Sequence, residues 1–100
     1  MSNREILELD KKTDEASVLL STMAHPKRLL IMCHLLTEEL SVTALVERTD
    51  IPQPTLSQHL AKLRGLDLVT TRRTGNVINY KLASAEIEMV LKALHAAYCA

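Results

Sequence analysis

The sequence contains no tryptophan or phenylalanine, and Tyr80 and Tyr98 are its only aromatic residues. The core must therefore be built from aliphatic side chains. With 100 residues, 47% of them hydrophobic, we expect one compact domain over residues 1–100, because a chain of this size supports a single core. Gly65 and Gly75 are the only glycines, which excludes a glycine-rich phosphate-binding loop.

Long apolar runs are also missing. No run approaches the roughly 18 residues that a membrane helix requires. Eight charged residues interrupt the first twenty positions, so the apolar region of a secretory signal peptide does not fit either. We therefore expect a cytoplasmic protein with no membrane contact. Cys33 and Cys99 are too few for the disulfide framework of a secreted domain, and in a reducing cytosol they are expected to be thiols.

The chain has no net charge, which by itself argues against a nucleic-acid partner. The charges are, however, unevenly distributed along the sequence. Residues 51–85 contain five cations and the single acid Asp67, a net charge of +4, so the rest of the chain carries −4. The basic third of the chain is therefore the part in which an anionic partner is expected.

Apolar residues at helical spacing predict a mostly helical fold. A helix over residues 13–24 is indicated by apolar residues at i, i+3, i+4 and i+7, namely Ala16, Leu19, Leu20 and Met23. Pro26 suits the first turn of a second helix, which continues to about Thr37. The stripe of this second helix that is predicted to face the core comprises Leu29, Met32, Cys33 and Leu36. Cys33 is therefore expected to lie inside the protein.

The next two helices have the spacing of a helix-turn-helix. Ser41 is a suitable N-cap for a short helix that ends near Arg48, and residues 49–52 break the pattern. The helix that follows, in the segment IPQPTLSQHLAKLR, has a narrow apolar stripe of Leu56, Leu60 and Leu63. Its opposite face has hydrogen-bonding groups, a cation and no carboxylate: Pro54, Thr55, Gln58, Ala61 and Lys62. Two short helices joined by a tight turn are typical of a helix-turn-helix.

The periodicity changes from 3.6 to 2 after Leu66, which predicts a β-hairpin. One strand is expected over residues 68–73 and the other over residues 77–82, with Gly75-Asn76 as a type II′ turn. A last helix from about Ser84 to the C-terminus is defined by Ile87, Val90, Leu91, Leu94 and Tyr98. The order of elements predicts a mainly α fold with a small β-hairpin, a winged helix-turn-helix.

The chemistry of the polar helix face and of the hairpin favours DNA binding over a merely solvated surface. A helix fits the major groove, where Gln58 can pair with adenine and Thr55 can meet a thymine methyl group. Lys62 can reach a phosphate. For His59, a packing role and a base contact remain equally open. The complete set of predicted DNA contacts is Gln53, Thr55, Ser57, Gln58, His59, Lys62, Arg72, Arg73 and Asn76.

The segment AHPKRLLIMCHLL and the longer segment LSVTALVERTDIPQPTLSQHLAKLRGLDLVTTRRTGNVINYKL resemble the bacterial ArsR-type winged-helix repressors. The resemblance covers nearly the whole chain. It implies a homodimer that binds double-stranded DNA at an inverted-repeat operator and releases it when an inducer, usually a metal ion, binds. The family's metal-binding sequence ELCVCDL corresponds here to residues 39–45, which contain no cysteine. The last-helix site of the zinc sensors is not reproduced by Glu86, Glu88 and His95 either.

One cysteine in the second helix and one at the end of the last helix resemble the BigR, HlyU and SqrR branch of this family. That resemblance implies a switch in which an oxidant or a reactive sulfur species links Cys33 to Cys99 and weakens DNA binding. Without the resemblance, a buried structural Cys33 and an incidental Cys99 are favoured. The alternative is a metal-responsive repressor that uses Cys33, His95 and Cys99, since His95 and Cys99 are spaced i, i+4. No resident metal or other cofactor is predicted.

An enzyme is not expected, because the sequence has no C-x-x-C motif, no glycine-rich phosphate loop and no acid–base constellation around either cysteine. Apolar residues outside the predicted core stripes indicate a dimer interface formed by the first and last helices. These residues are Ile6, Leu7, Leu9 and Val18.

Overall fold

The computed structural model describes residues 1–99, which form six helices and one three-stranded antiparallel sheet. The helices are α1 (Asn3–Asp10), α2 (Thr13–Met23), α3 (Pro26–His34), α4 (Val42–Thr49), α5 (Gln53–Gly65) and α6 (Ala85–Tyr98). The strands are β1 (Leu40–Ser41), β2 (Val69–Thr74) and β3 (Val77–Leu82). This architecture confirms the predicted winged helix-turn-helix.

Two elements were not predicted. Helix α1 has no buried residue and begins at a capping box, in which the Ser2 hydroxyl accepts the Glu5 amide N–H and the Glu5 carboxylate accepts the Ser2 amide N–H. The S-x-x-E spacing was a usable signal for this helix. Strand β1 has two residues, too few to show a period of 2. The second predicted helix also ends earlier than expected, at His34 and not at Thr37.

The helix-turn-helix consists of α4 and α5. The Ser41 side chain accepts the Ala44 amide N–H and caps α4, as predicted. Helix α4 ends at Asp50, whose φ of 58° places it in the left-handed region. Pro54 lies in the first turn of α5, where its missing N–H costs no helical hydrogen bond. Asp50 and Pro54 therefore fix the tight turn between α4 and the start of α5.

The core is aliphatic, and the α5 stripe lies at its centre. Leu56, Leu60 and Leu63 are 0%, 1% and 0% exposed, which confirms that this face of α5 is buried. Around them pack side chains from α2, α3, α4, β2 and α6, including Met23, Ile31, Met32, Leu35, Leu45, Val69, Ile87 and Leu91. Because three leucines hold α5 on one side, its other side faces solvent.

The wing is the β2–β3 hairpin. Strand β3 is the central strand, and β1 pairs with it on the other side through Leu40↔Tyr80 and Ser41↔Asn79. Thr74 pairs with Val77, so Gly75 and Asn76 form the two-residue turn. Gly75 has φ 61°, the sign that a type II′ turn needs at its first central position. The predicted turn is confirmed.

The two glycines provide a matched pair for testing the wing turn. A Cβ added at either glycine meets no atom within 4 Å, but only Gly75 has a positive φ. We expect Gly75→Ala to destabilise the fold by about 1–2 kcal/mol through backbone strain. Gly65→Ala, at the end of α5, is expected to stabilise it by about 0.4–1 kcal/mol by restricting the unfolded chain. Urea unfolding at equal protein concentration measures both, and changes of the same sign would contradict the assigned turn.

Candidate nucleic-acid interface and cysteine pocket

Six of the predicted DNA contacts lie in α5, and five of them share its solvent-facing side. Gln53, Ser57, Gln58 and Lys62 are exposed, and Thr55 is half-buried. Their common position follows from the burial of the leucine stripe, because residues between the stripe positions of an α-helix must point away from the core. The exposed face of α5 therefore presents amide, hydroxyl and ammonium groups, which are the groups that bind base edges and phosphates.

His59 occupies a different position from the other α5 residues. It is half-buried, and its ring packs against the ring of His25 with a centroid distance of 4.7 Å and a tilt of 60°. His25 caps α3, and its Nδ1 accepts the Lys27 amide N–H at 3.2 Å. Burial lowers the pKa of His59, and the positive charges of His25, Arg28 and Lys27 lower it further. His59 thus makes the packing contact that the sequence left open, at the junction of α3 and α5.

The two wing arginines are held by different partners. The Arg72 guanidinium donates from Nε to both Glu39 carboxylate oxygens at 3.0 and 3.1 Å, and from Nη2 to Glu39 Oε2 at 2.6 Å. Arg73 donates from Nε to the Gly75 carbonyl oxygen at 3.0 Å. Asn76 is exposed at the turn. Arg72 therefore ties the wing to Glu39 beside β1, whereas Arg73 and Asn76 present polar groups at the wing tip.

The Arg72–Glu39 pair shifts both ionisations in the direction expected for an ion pair. Hydrogen bonding to Arg72 lowers the pKa of the Glu39 carboxyl, and the charges of Arg72 and Lys81 lower it further. The same contacts raise the pKa of Arg72. The pair is therefore charged at neutral pH and is lost only as the pH falls through the lowered pKa of Glu39.

Both cysteines line one apolar pocket. It has a volume of about 290 Å³ and lies between α3 and the end of α6. Its lining residues are Leu29, Cys33, Leu91, Leu94, His95, Tyr98 and Cys99. The two thiols are free and exposed, so the structure brings together the two residues predicted to form the switch. Within the described part of the chain, this lining includes no carboxylate that would serve a thiol enzyme as an acid or base.

The expected burial of Cys33 is wrong. The residues of α3 that face the core are Ile31 and Met32, followed by Leu35 beyond the helix end. Cys33 lies at the edge of that buried arc, where the last turns of α6 leave the pocket open to solvent. The apolar walls nevertheless desolvate its thiolate, and this partial burial raises the pKa of the Cys33 thiol. Tyr98, placed on the α6 stripe from the sequence, is also exposed.

The metal alternative receives no support from the geometry. Cys33, His95 and Cys99 line the same pocket, yet residues 1–99 contain no group of three or more histidine, cysteine or acidic side chains placed to share a metal ion.

Within residues 1–99, no helix is both long enough and apolar enough to cross a membrane.

A helix-turn-helix with a polar recognition face and a β wing defines a DNA-binding winged-helix regulator. Comparison with known proteins supports this assignment. Residues 25–71 match the family described as bacterial regulatory protein, arsR family. The transcriptional activator HlyU of Vibrio cholerae serotype O1 is 45% identical to the chain, over 92% of this chain and 85% of that protein. The chain belongs to the ArsR family of transcription regulators.

Two further proteins extend the comparison over nearly the full length. A biofilm growth-associated repressor of Agrobacterium fabrum is 44% identical over 92% of this chain and 79% of its own length. The crystal structure of the transcriptional repressor BigR from Xylella fastidiosa superposes with a TM-score of 0.90 at 39% identity, covering 99% of both chains. The structure of reduced HlyU from Vibrio cholerae gives a TM-score of 0.85 at 44% identity, covering 93% of this chain and 98% of that one. These relatives are all named as regulators of transcription and not as enzymes.

The Arg72–Glu39 contact can be tested without DNA. We expect an NMR pH titration to find the pKa of the Glu39 carboxyl below its ordinary value, and Arg72→Gln to raise it because the hydrogen bonds and the positive charge are lost. Arg73→Gln is the matched control, since Arg73 bonds to Gly75 and not to Glu39. An unchanged Glu39 titration in Arg72→Gln would show that the wing is not tied in this way.

Proposed function

We propose that this protein is a homodimeric repressor that binds an inverted-repeat operator through α5 and the wing, and that releases it when Cys33 and Cys99 become linked. The observation that carries the proposal is that the two cysteines, far apart in sequence, line one pocket between α3 and α6. Two of the compared relatives are repressors and one is an activator by name, which favours repression. Reduced HlyU is a relative described by its redox state.

The operator-reading part of the proposal assigns different roles to α5 and the wing. Gln58 and Thr55 read base edges in the major groove, where an amide side chain can bond adenine at two positions. Gln53 and Ser57 support them from the same face, and Lys62 bonds phosphate. At the wing, Arg73 and Asn76 contact the DNA backbone or a narrow minor groove. Arg72 acts with them while its guanidinium is oriented by Glu39.

Exposed apolar side chains support the dimer. On α1, Ile6, Leu7 and Leu9 are each about half or more exposed, and no residue of this helix is buried. Val18 on α2 and Met89 on α6 are also exposed. Water contact with so many large apolar groups is unfavourable, and a second copy would remove it. A two-fold dimer presents two α5 helices to half-sites about one helical turn, roughly 34 Å, apart.

The two cysteines have unequal chemistry in the proposed switch. Because partial burial raises the pKa of Cys33, little of it is thiolate at neutral pH, and it is the slower nucleophile. Exposed Cys99 at the end of α6 reacts first. Hydrogen peroxide oxidises its thiolate to a sulfenic acid, and the Cys33 sulfur then displaces the hydroxyl group. The two thiols lose two electrons and two protons, and one peroxide becomes two waters.

Reactive sulfur can close the same link. Disulfane replaces peroxide as the two-electron oxidant and is reduced to two molecules of hydrogen sulfide. Each sulfur atom retained between Cys33 and Cys99 requires one further disulfane, which leaves as one more hydrogen sulfide. Two disulfanes thus give a trisulfide bridge and three molecules of hydrogen sulfide. A direct disulfide requires Cα atoms within about 7 Å, and a longer bridge relaxes this limit.

Linkage would act on DNA binding through the helices that carry the cysteines. A bridge ties the last turn of α6 to α3, and α6 contributes exposed apolar surface to the proposed dimer interface. Residues 95–98 of α6 are exposed, so the last turn of α6 can adjust to α3 at little packing cost. A displaced interface helix changes the separation or the mobility of the two α5 helices. A coupling of about 1–3 kcal/mol would lower operator affinity about 5- to 150-fold.

Base reading and backbone contact can be separated with two variants. We expect Gln58→Ala to lose about 1–3 kcal/mol of discrimination between duplexes that the protein selects from a random pool and unselected duplexes. Arg73→Ala is expected to weaken binding to both and to reduce the slope of log affinity against log salt by about one. Fluorescence anisotropy over a salt series measures both effects. Equal losses on selected and unselected DNA for Gln58→Ala would count against base reading there.

The switch is tested with single and double serine variants. Disulfane or peroxide is expected to join Cys33 to Cys99 within one chain and to release selected DNA, and a reductant to restore binding. Cys33→Ser and Cys99→Ser should each bind DNA but fail to release it. Intact-mass spectrometry and anisotropy on the same sample report linkage and release.

The double variant Cys33→Ser/Cys99→Ser is the control for assembly. We expect it to remain dimeric in analytical ultracentrifugation, because helix packing and not sulfur holds the proposed interface. A single serine variant that still releases DNA on treatment would refute the two-thiol mechanism while leaving DNA binding intact. A double variant that sediments as a monomer would refute the interface.

A further inference from the structure

A cluster of cationic and titratable side chains lies where the start of α3 meets α5. We name it the α3 cationic cluster, and its members are His25, Lys27, Arg28 and His59. Three of them come from one turn of α3, and His59 joins them from the recognition helix through its ring contact with His25 at 4.7 Å. The cluster therefore borders the face of α5 that carries the predicted base contacts.

Two features of this cluster are unusual for a purely structural contact. The Nε atom of Arg28 is buried and has no hydrogen-bond partner within residues 1–99, although buried donors of this kind are nearly always bonded. Every charged group that acts on His59 is cationic, namely His25, Arg28 and Lys27. Like charges are thus gathered without a carboxylate acting on His59 to balance them, an arrangement that an anion would stabilise.

We propose that the α3 cationic cluster binds a phosphate of the DNA backbone, next to the groove that α5 enters. This inference rests on the proposed DNA binding through α5. Lys27 and Arg28 supply fixed positive charge, and His59 adds charge when it is protonated. The positive end of the α3 helix dipole adds to this charge, although Pro26 has no N–H and the Lys27 N–H donates to His25 Nδ1. The cluster would position the protein on the duplex and would not read sequence.

His59 makes this contact dependent on pH. In the free protein, burial and the neighbouring cations hold the pKa of His59 below its ordinary value, so His59 is mostly neutral at pH 7. On α3, the charged groups facing it are His25, Lys27 and Arg28, and on α5 Lys62 lies one turn further along. A phosphate placed among them favours the imidazolium and raises the pKa of His59 in the complex. Binding then takes up a proton, and affinity rises as the pH falls through the histidine range.

The test uses the full-length protein and a duplex of about 30 base pairs of unselected sequence, because a phosphate contact does not depend on sequence. Anisotropy is measured from about pH 8 to pH 5.5 at constant ionic strength. We expect the affinity of the unaltered protein to rise on the order of 3- to 10-fold on acidification. The rise is limited to about tenfold for each unit by which DNA binding raises the pKa of His59. His59→Gln removes the titrating group, and His25→Asn removes the ring that packs against His59 while asparagine keeps the helix cap. Both variants are expected to flatten this rise.

Matched controls come from the same chain. His34→Gln, at the other end of α3 and about 13 Å along its axis from His25, should keep the full pH dependence. Lys27→Ala should reduce the salt slope by about one, while Lys12→Ala, at the junction of α1 and α2, should not. In an NMR titration, the duplex should shift the pKa of His59 upward, and inorganic phosphate at the same ionic strength should not.

A pH dependence that survives in His59→Gln and His25→Asn overturns the proposal. So does a His59 that responds equally to duplex and to inorganic phosphate, which would make the cluster a site for the free anion. If these variants lose thermal stability and keep the pH slope, the cluster only packs α3 against α5. In each of these cases, Gln58→Ala still reports on base reading, so this inference can fail while the proposed function stands. Absence of duplex binding at every pH would refute both.

Discussion

The burial of three leucines on one face of α5 is the constraint on which the rest of the molecule depends. Leu56, Leu60 and Leu63 are essentially inaccessible to water, and burying side chains of this kind stabilises a fold by about 1.5–3 kcal/mol each. Because the stripe is narrow, it fixes the rotation of α5 about its own axis. Ser57, Gln58 and Lys62, which lie between the leucines, therefore point outward, whereas His59 packs against His25. Core packing thus decides which side chains are available for DNA.

Helix α3 connects the two functional regions that we propose. Its first turn meets α5 through the contact of His25 with His59, and Cys33, near its last residue, lines the cysteine pocket with α6. The helix has nine residues and is therefore only about 14 Å long. A bridge from Cys33 to α6 would therefore pull on a short helix, and the other end of that helix contacts the recognition helix α5. In the proposed switch, linkage of the thiols would thus affect DNA binding in two ways, through the dimer interface and through α3.

Sequence reasoning was most successful where a pattern reported packing directly. The 3.6-residue spacing of the α5 leucines and the Gly75-Asn76 turn predicted the recognition helix and the wing. It failed where the outcome depended on other elements. The sequence places Cys33 on a continuous apolar stripe of α3. In the structure α6 does not cover the edge of that stripe, so Cys33 is exposed. The pairing of Arg72 with Glu39 links residues 33 positions apart, and no local pattern encodes that distance. Among the predicted DNA contacts, the sequence left two roles open only for His59, and the structure shows it packed against His25.

The absence of net charge gives the proposed switch its sensitivity. A strongly basic protein gains most of its DNA affinity from long-range attraction, which no small movement removes. In this chain the net positive charge lies in residues 51–85, which include α5 and the wing, and Arg72 is already paired with Glu39. Binding must then depend on contacts that work only when both α5 helices of a dimer are correctly spaced. For such a protein, a coupling of about 1–3 kcal/mol is a large part of the difference between operator and other DNA. In the proposed switch, a single sulfur bridge would then lower operator affinity without unfolding any part of the domain.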